Sequence, residues 1–245
     1  MSLFWLQISP ATDREPRRCR PAFSFNKNTP VTSPSSALTQ LIQNPAYFLR
    51  WYQITIAGNP NASAVYDYWI EKVEGTHNER PGRTLGTLHM HSISTFQILC
   101  YDPGGDAHNF KAHSVQMVSE GSVAINAIQG YLLPDPSAHP IMVTGQLSGC
   151  SFACLSTANG VLTAHIQPNP NNAANLRTNL KNNGRFAGHP NSSIVVYGSH
   201  AGAGGPGYDH NSEYVSVIGV HCQGRWKIYA QVYMDRKVIR LDPIL

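Results

Sequence analysis

Short runs of β-branched and aromatic residues, each closed by Gly, Pro, Asn or Asp within a few positions, recur along most of this chain, and that rhythm restricts it to a fold of many short strands. Phe48–Ile56, Ala64–Val73, Thr84–Ser92, Ser94–Tyr101, His113–Val118, Val123–Ile128, Pro140–Thr144, Phe152–Ser156, Val161–Gln167 and Ile194–Tyr197 read as strands. Tyr214–Val220 and Trp226–Tyr233 read as a hairpin around Gln223-Gly224, and Val238–Leu241 as an added edge. Two segments read as helices. Ser36–Gln43 is closed by Asn44-Pro45, and Asn172–Asn182 sets Leu176 and Leu180 on one face with Gly184 beyond its end. The pattern predicts an α+β fold, mainly β: a β-sandwich of mixed sheets with a few helices packed outside. Charged residues make up only 13% of the chain, against about a quarter in typical domains. The polar surface must therefore come from Asn, Ser, Thr, Gln and Gly, which favour turns over helix interiors.

One stretch concentrates chemistry. Thr144-Gly145-Gln146-Leu147-Ser148-Gly149-Cys150 is followed by His165-Ile166, so a hydroxyl, a thiol and an imidazole lie within 22 residues. A cysteine becomes a strong nucleophile when a neighbour such as histidine favours its thiolate. Ser148 and Gly149 have little bulk, so a carbonyl can approach the backbone there, and N–H groups in such a turn can receive a developing oxyanion. The competing reading is that a lone cysteine is a small buried hydrophobe and the histidine a structural residue.

Leu147-Ser148-Gly149-Cys150 with His165 downstream resembles the catalytic segment of the glutamine deamidase toxins, the cytotoxic necrotizing factors and the Burkholderia lethal factor. Thr144 matches the threonine of the lethal factor and of the related bacterial chemoreceptor deamidases, and His165-Ile166 looks like the lethal factor's His-Ile pair. The resemblance covers residues 141–168. It implies a β-sandwich and a hydrolase that converts glutamine to glutamate on a target protein through a thioester. Cys150 would be the nucleophile, His165 the base and Thr144 the group that orients the imidazole, with Ser148 and Gly149 at the oxyanion. It further implies a bacterial toxin or effector acting on a host protein, secreted or delivered into the host cytosol, although the chemoreceptor branch acts inside bacteria. A monomer is expected, and thiol catalysis needs no cofactor or metal.

The residues leave the geometry open. Cys150 and Cys154 share parity and fall on one strand face. Thr157-Ala158-Asn159-Gly160 carries the Asn-Gly hairpin signal. A turn centred on Asn159-Gly160 pairs Cys154 with His165. A turn centred on Ala158-Asn159 pairs Phe152 with His165 and leaves Cys150 diagonal to it, and a three-residue loop puts His165 on the opposite face. Cys154 is thus a rival on geometry, and the turn context favours Cys150.

Other functions compete. His89 and His91, with His108 and His113, are a candidate zinc site. A thiol protease or transglutaminase would use the same Cys–His pair, and a non-enzymatic β-rich interaction domain would need neither residue. Gly198–Gly207 lacks Gly-Lys-Ser/Thr and is not a phosphate loop; it reads as a surface loop, with a lid over the site as the alternative. The net charge is +4, and Arg14, Arg17, Arg18 and Arg20 form a basic cluster. Without interleaved aromatics it reads as a solvated arm and not as a nucleic-acid site. Residues 1–40 are expected to be an N-terminal arm and 41–245 the catalytic domain. The five cysteines, Cys19, Cys100, Cys150, Cys154 and Cys222, form no legible disulfide framework, which predicts a reduced compartment. No apolar run is long enough to span a membrane. Met1–Ile8 is too short for a signal peptide, which implies a signal-independent route or a leader already removed.

Overall fold

The computed structural model describes residues 31, 33–58, 60–73, 94–120, 127–169, 173–182, 184–190, 193–199, 206–234 and 237–245. The chain divides between Pro30 and Val31, and every described residue belongs to the second unit. This division lies ten residues before the expected boundary after residue 40. Helix α1 (Pro34–Gln43) is part of the core: Ser33 caps it, Pro34 opens it, and Pro34, Ala37, Leu38 and Leu41 are buried. Val31 is buried as well, and its N–H donates to Tyr52 Oη at 3.0 Å. Arg14, Arg17, Arg18 and Arg20 lie outside the described residues.

Phe48–Ile56 is not one strand. Pro45 starts a second helix, α2 (Pro45–Trp51), and only then does β1 (Tyr52–Ala57) begin. The aromatic residues that suggested a strand are used for packing instead. Phe48 and Leu49 are buried, and Phe48 stacks on Tyr52 at 4.9 Å between ring centres. Burial of aromatic surface outweighs a modest strand preference.

The remaining strands are β2 (Ala64–Val73), β3 (Ser94–Leu99), β4 (His108–Val115), β5 (Met117–Ser119), β6 (Tyr131–Pro134), β7 (Ile141–Thr144), β8 (Ser151–Thr157), β9 (Gly160–Gln167), β10 (Ile194–Gly198), β11 (Tyr214–Cys222), β12 (Arg225–Met234) and β13 (Lys237–Pro243). Helix α3 (Leu176–Asn182) follows a 3-10 turn at Ala173–Asn175. Positions 84–92 and 123–126 of two expected strands lie outside the described residues.

The strands form two mixed sheets. The first has the order β1-β3-β2-β4-β7-β11-β12-β13, parallel at β1/β3 and β4/β7. The second has the order β10-β8-β9-β5, parallel at β5/β9, with β6 also on β9. Alternation sorts the side chains into three cores. Ile141, Val143, Ile218 and Val220 pack under α1 and α2. Met142, Val215, Val217 and Ile228 of the first sheet meet Phe152, Cys154 and Val161 of the second. Ala153, Leu155, Ala164 and Ile166 lie beneath α3 through Leu176 and Leu180. The result is a mainly β sandwich with helices on both outer faces, as the strand rhythm predicts.

Two features of this framework position the site. The expected strand His113–Val118 is split: β4 belongs to the first sheet and β5 to the second, with Gln116 at the corner, its N–H held by Ser63 Oγ at 2.9 Å. Between β7 and β8 the chain crosses from the first sheet to the second again. The two crossings bring Val115, Met117, Thr144 and Cys150 to one edge of the interior. The first sheet is stiffened by buried Gln231, which donates to Leu49 O at 2.6 Å and Tyr52 O at 2.8 Å and accepts from Ile54 N at 2.7 Å. Ser216 Oγ donates to Ile54 O at 2.7 Å. These bonds tie β1, at one end of the sheet, to β11 and β12 near the other, so the sheet must curl around α1 and α2.

Candidate active site

The hairpin of β8 and β9 decides which side chains meet. Its register pairs Thr157 with Gly160 and Phe152 with His165, so the turn is centred on Ala158-Asn159. The glycine of the Asn-Gly signal is needed for another reason. Strand β6, which the residue pattern did not reveal, pairs with β9 from Tyr131–Thr163 to Pro134–Gly160. Gly160 has φ of +134°, and a Cβ there would run into the Leu133 carbonyl oxygen. Asp135 N also donates to Asn159 O at 3.1 Å. Close passage of β6 therefore requires glycine at position 160.

In this register His165 shares the inter-sheet face with Phe152, and Cys150 is its diagonal neighbour, a separation of roughly 7–8 Å between backbones. Cys154 pairs directly with Thr163 and lies on the other diagonal of His165. It is fully buried, with its thiol pushed up to about 12 by desolvation. Cys154 is a packed core residue, and its complete burial, not the register, sets it apart from Cys150.

Thr144 and His165 come into direct contact across the two sheets. Thr144 Oγ1 lies 2.7 Å from His165 Nδ1 and donates to Val115 O at 2.6 Å. The hydroxyl has one proton, and the carbonyl takes it. Its oxygen must then accept from His165 Nδ1–H, which fixes the tautomer and leaves Nε2 as a bare lone pair. Nε2 is buried and has no hydrogen-bond partner among the described residues. Burial also lowers the imidazole pKa from 6.5 to about 4, so His165 is neutral near physiological pH. A neutral imidazole with its Nε2 lone pair exposed to the site interior is equipped to accept a proton.

Cys150 is 6% exposed. Its Sγ donates to Met117 Sδ at 3.6 Å and makes no hydrogen bond to His165. Desolvation raises the thiol pKa, and a backbone hydrogen bond from Ser148 opposes that rise. The resting pair is therefore thiol and neutral imidazole, and not a preformed ion pair. The thiol must turn from Met117 towards Nε2 before it can lose its proton.

The turn before Cys150 is pinned at both ends. Leu147 bridges to Val215, with Leu147 N donating to Val215 O at 2.9 Å. Gly149 has φ of +90°, a left-handed conformation that favours glycine. Among the described residues nothing lies within 4 Å of where its Cβ would be. The Gly149 N–H, expected at the oxyanion, is engaged elsewhere in the resting structure. It donates to Tyr208 Oη at 2.8 Å, and that hydroxyl donates to Cys150 O at 3.0 Å. Ser148 is the member of the pair whose backbone reaches the thiol.

Tyr208 was not legible as a site residue. Only its place directly after the glycine-rich run hinted at a role. It stacks on Tyr197 at 6.3 Å, and Tyr197 Oη donates to Asp242 Oδ2 at 2.7 Å. Arg240 bonds the same carboxylate oxygen at 2.7 Å and Gly207 O at 2.8 Å. A Cβ on Gly207 would meet the Gly198 carbonyl oxygen, so the two ends of the run touch backbone to backbone. Residues 200–205, where a lid would lie, are outside the described residues.

The candidate zinc site gains nothing from its described members. His89 and His91 lie outside the described residues. His108 is exposed on β4, and His113, five positions on, faces the other way. Both nitrogens of His113 are engaged, by Tyr131 Oη at 2.8 Å and Ser137 Oγ at 2.9 Å. Among the described residues no three His, Cys, Asp or Glu side chains converge on a common point, and no helix is long and apolar enough to cross a membrane.

Comparison with protein-family profiles and with curated protein sequences gives no match to this chain.

Proposed function

We propose that this chain is a thiol-dependent amidohydrolase that deamidates glutamine side chains of a target protein. The observation that carries the reading is the Val115–Thr144–His165 relay, which leaves an unpartnered, buried Nε2 on the same face as Cys150. A structural histidine in a β core has its second nitrogen satisfied, as His113 does. An imidazole nitrogen without a partner among the described residues, on the face that carries a thiol, is the arrangement a general base needs.

On this reading Cys150 gives its proton to His165 Nε2, and Thr144 stabilises the ring that becomes charged. The thiolate, aided by the Ser148 N–H, attacks the amide carbon. His165 then protonates the leaving ammonia, and water hydrolyses the thioester. A hydroxyl stabilises an imidazolium less than a carboxylate would, so Thr144 orients more than it compensates charge. The resemblance of Leu147-Ser148-Gly149-Cys150 and His165 to the deamidase toxins supports a protein substrate and an effector role in a host cell.

The test is mass spectrometry of proteins in a treated lysate. Gln-to-Glu conversions with ammonia release are expected, absent with Cys150→Ser and His165→Ala. Cys150-dependent cleavage fragments would make the chain a protease, and amide cross-links a transglutaminase. Conversion that persists in Cys150→Ser would refute the assignment of the nucleophile.

A further inference from the structure

Met117 receives the only hydrogen bond that the Cys150 thiol donates among the described residues, and the proposed chemistry does not use it. It begins β5, in parallel register with His165. Met117 is 37% exposed, whereas Cys150 is 6% exposed. The side chain therefore runs from solvent to the sulfur, ending with Sδ 3.6 Å from Sγ. Met117 thus fills one path from solvent to the thiol.

The shape of the occupant is informative. A methionine side chain is two methylenes followed by Sδ and a methyl. A glutamine side chain is two methylenes followed by Cδ, which bears the oxygen and nitrogen. The two are unbranched and of equal length, and Sδ stands where the electrophilic carbon would stand. Its distance from Sγ is close to the ~3–3.5 Å of reacting atoms poised for attack. The resting thiol is directed at this surrogate while His165 Nε2 is left without a partner.

We infer that Met117 occupies the binding position of the substrate glutamine, and that substrate binds by displacing it. The site thus takes an unbranched side chain with two methylenes before the amide, delivered on an exposed segment that reaches the β5 edge. Asparagine, one methylene shorter, does not reach. The inference rests on the amidohydrolase reading above, and it adds both a side-chain length specificity and a self-capped resting state.

The chemistry can be installed within the chain. In M117Q the side chain at position 117 is itself a substrate. Cys150 Sγ bonds to its Cδ as the C–N bond breaks, and ammonia leaves with the thiol proton. Water then cleaves the C–S bond, leaving a carboxylic acid at position 117 and restoring the thiol. Peptide mass spectrometry of purified M117Q should find that residue as the acid, and as the intact amide in M117Q/C150S and M117N. In parallel, M117A should raise the iodoacetamide alkylation rate of Cys150 by about tenfold, the factor for ~1.4 kcal/mol of lost cover. M117L should keep the wild-type rate, and thermal melts confirm that each variant is folded.

An unchanged rate in folded M117A overturns the inference, whatever the wild-type protein does to casein. A faster M117A with an intact amide in M117Q also overturns it, and wild-type ammonia release from casein then tells which reading has failed. Release means that the deamidase reading stands and only the pose is wrong. No release against casein and no self-conversion removes the deamidase reading as well.

Discussion

Replacing Thr144 by valine keeps the side chain's shape and removes the hydroxyl that joins Val115 O to His165 Nδ1. Thr144 and His165 are each 1% exposed, so water does not substitute for the lost group. Two buried polar groups lose a partner, at about 1–3 kcal/mol each. That is a large part of a domain's total stability of roughly 5–15 kcal/mol. The variant should melt at clearly lower temperature but remain folded near room temperature. Catalysis should fall for a separate reason. Without an acceptor at Nδ1 the imidazole is no longer held in the tautomer that leaves Nε2 bare. Losing that one hydrogen bond should lower kcat/KM by roughly 5–150-fold, the factor for 1–3 kcal/mol. Thr144→Ser should restore most of both, Thr144→Ala should resemble Thr144→Val, and His165→Ala should lose more than either. The assay is Cys150-dependent ammonia release at a temperature where circular dichroism shows every variant folded. A folded Thr144→Val protein with wild-type kcat/KM would refute the reasoning and leave a dyad of Cys150 and His165.

Further expectations test other parts of the structure. Because burial lowers the His165 pKa from 6.5 to about 4, the unfolded chain binds the proton more tightly between those values. The associated stability, about 3 kcal/mol, is fully present above the unfolded value and is lost as pH falls towards the folded one. Urea melts at about pH 7 and about pH 5 should differ by about 2 kcal/mol, the part of it lost over that interval, and a pH slope unchanged in His165→Ala would refute the assignment. Cys150 should react with iodoacetamide before Cys154, whose thiol is pushed up to about 12, and peptide mapping that finds Cys154 modified first would reverse the assignment. Gly160→Ala should destabilise the fold by more than about 2 kcal/mol, because its Cβ meets the Leu133 carbonyl; an unchanged melting temperature would mean that β6 does not hold the register. Chelators should leave the thiol chemistry intact, and zinc-restored activity would redirect attention to His89 and His91.

The sequence by itself determined what depends on neighbouring residues. Alternation and turn chemistry revealed most of the described strands and the mainly β architecture, because they are local consequences of the pleat and of Gly, Pro, Asn and Asp conformations. The pattern of Thr144, Cys150 and His165 likewise directed attention to the site. Tertiary structure decided what depends on distant chain. Phe48 and Leu49 became helical because the core under the first sheet required them there. Strand β6, unmarked in sequence, came so close to Gly160 that only glycine fits there, and the hairpin register placed Cys150 and Cys154 on the two diagonals of His165, with complete burial setting Cys154 apart. Val115 and Met117 entered the site because the chain switches sheets at Gln116, and Tyr208 took the Gly149 N–H from 59 residues away. No local pattern encodes these contacts: each arises where two segments far apart in the chain compete for the same small volume, and packing resolves the competition.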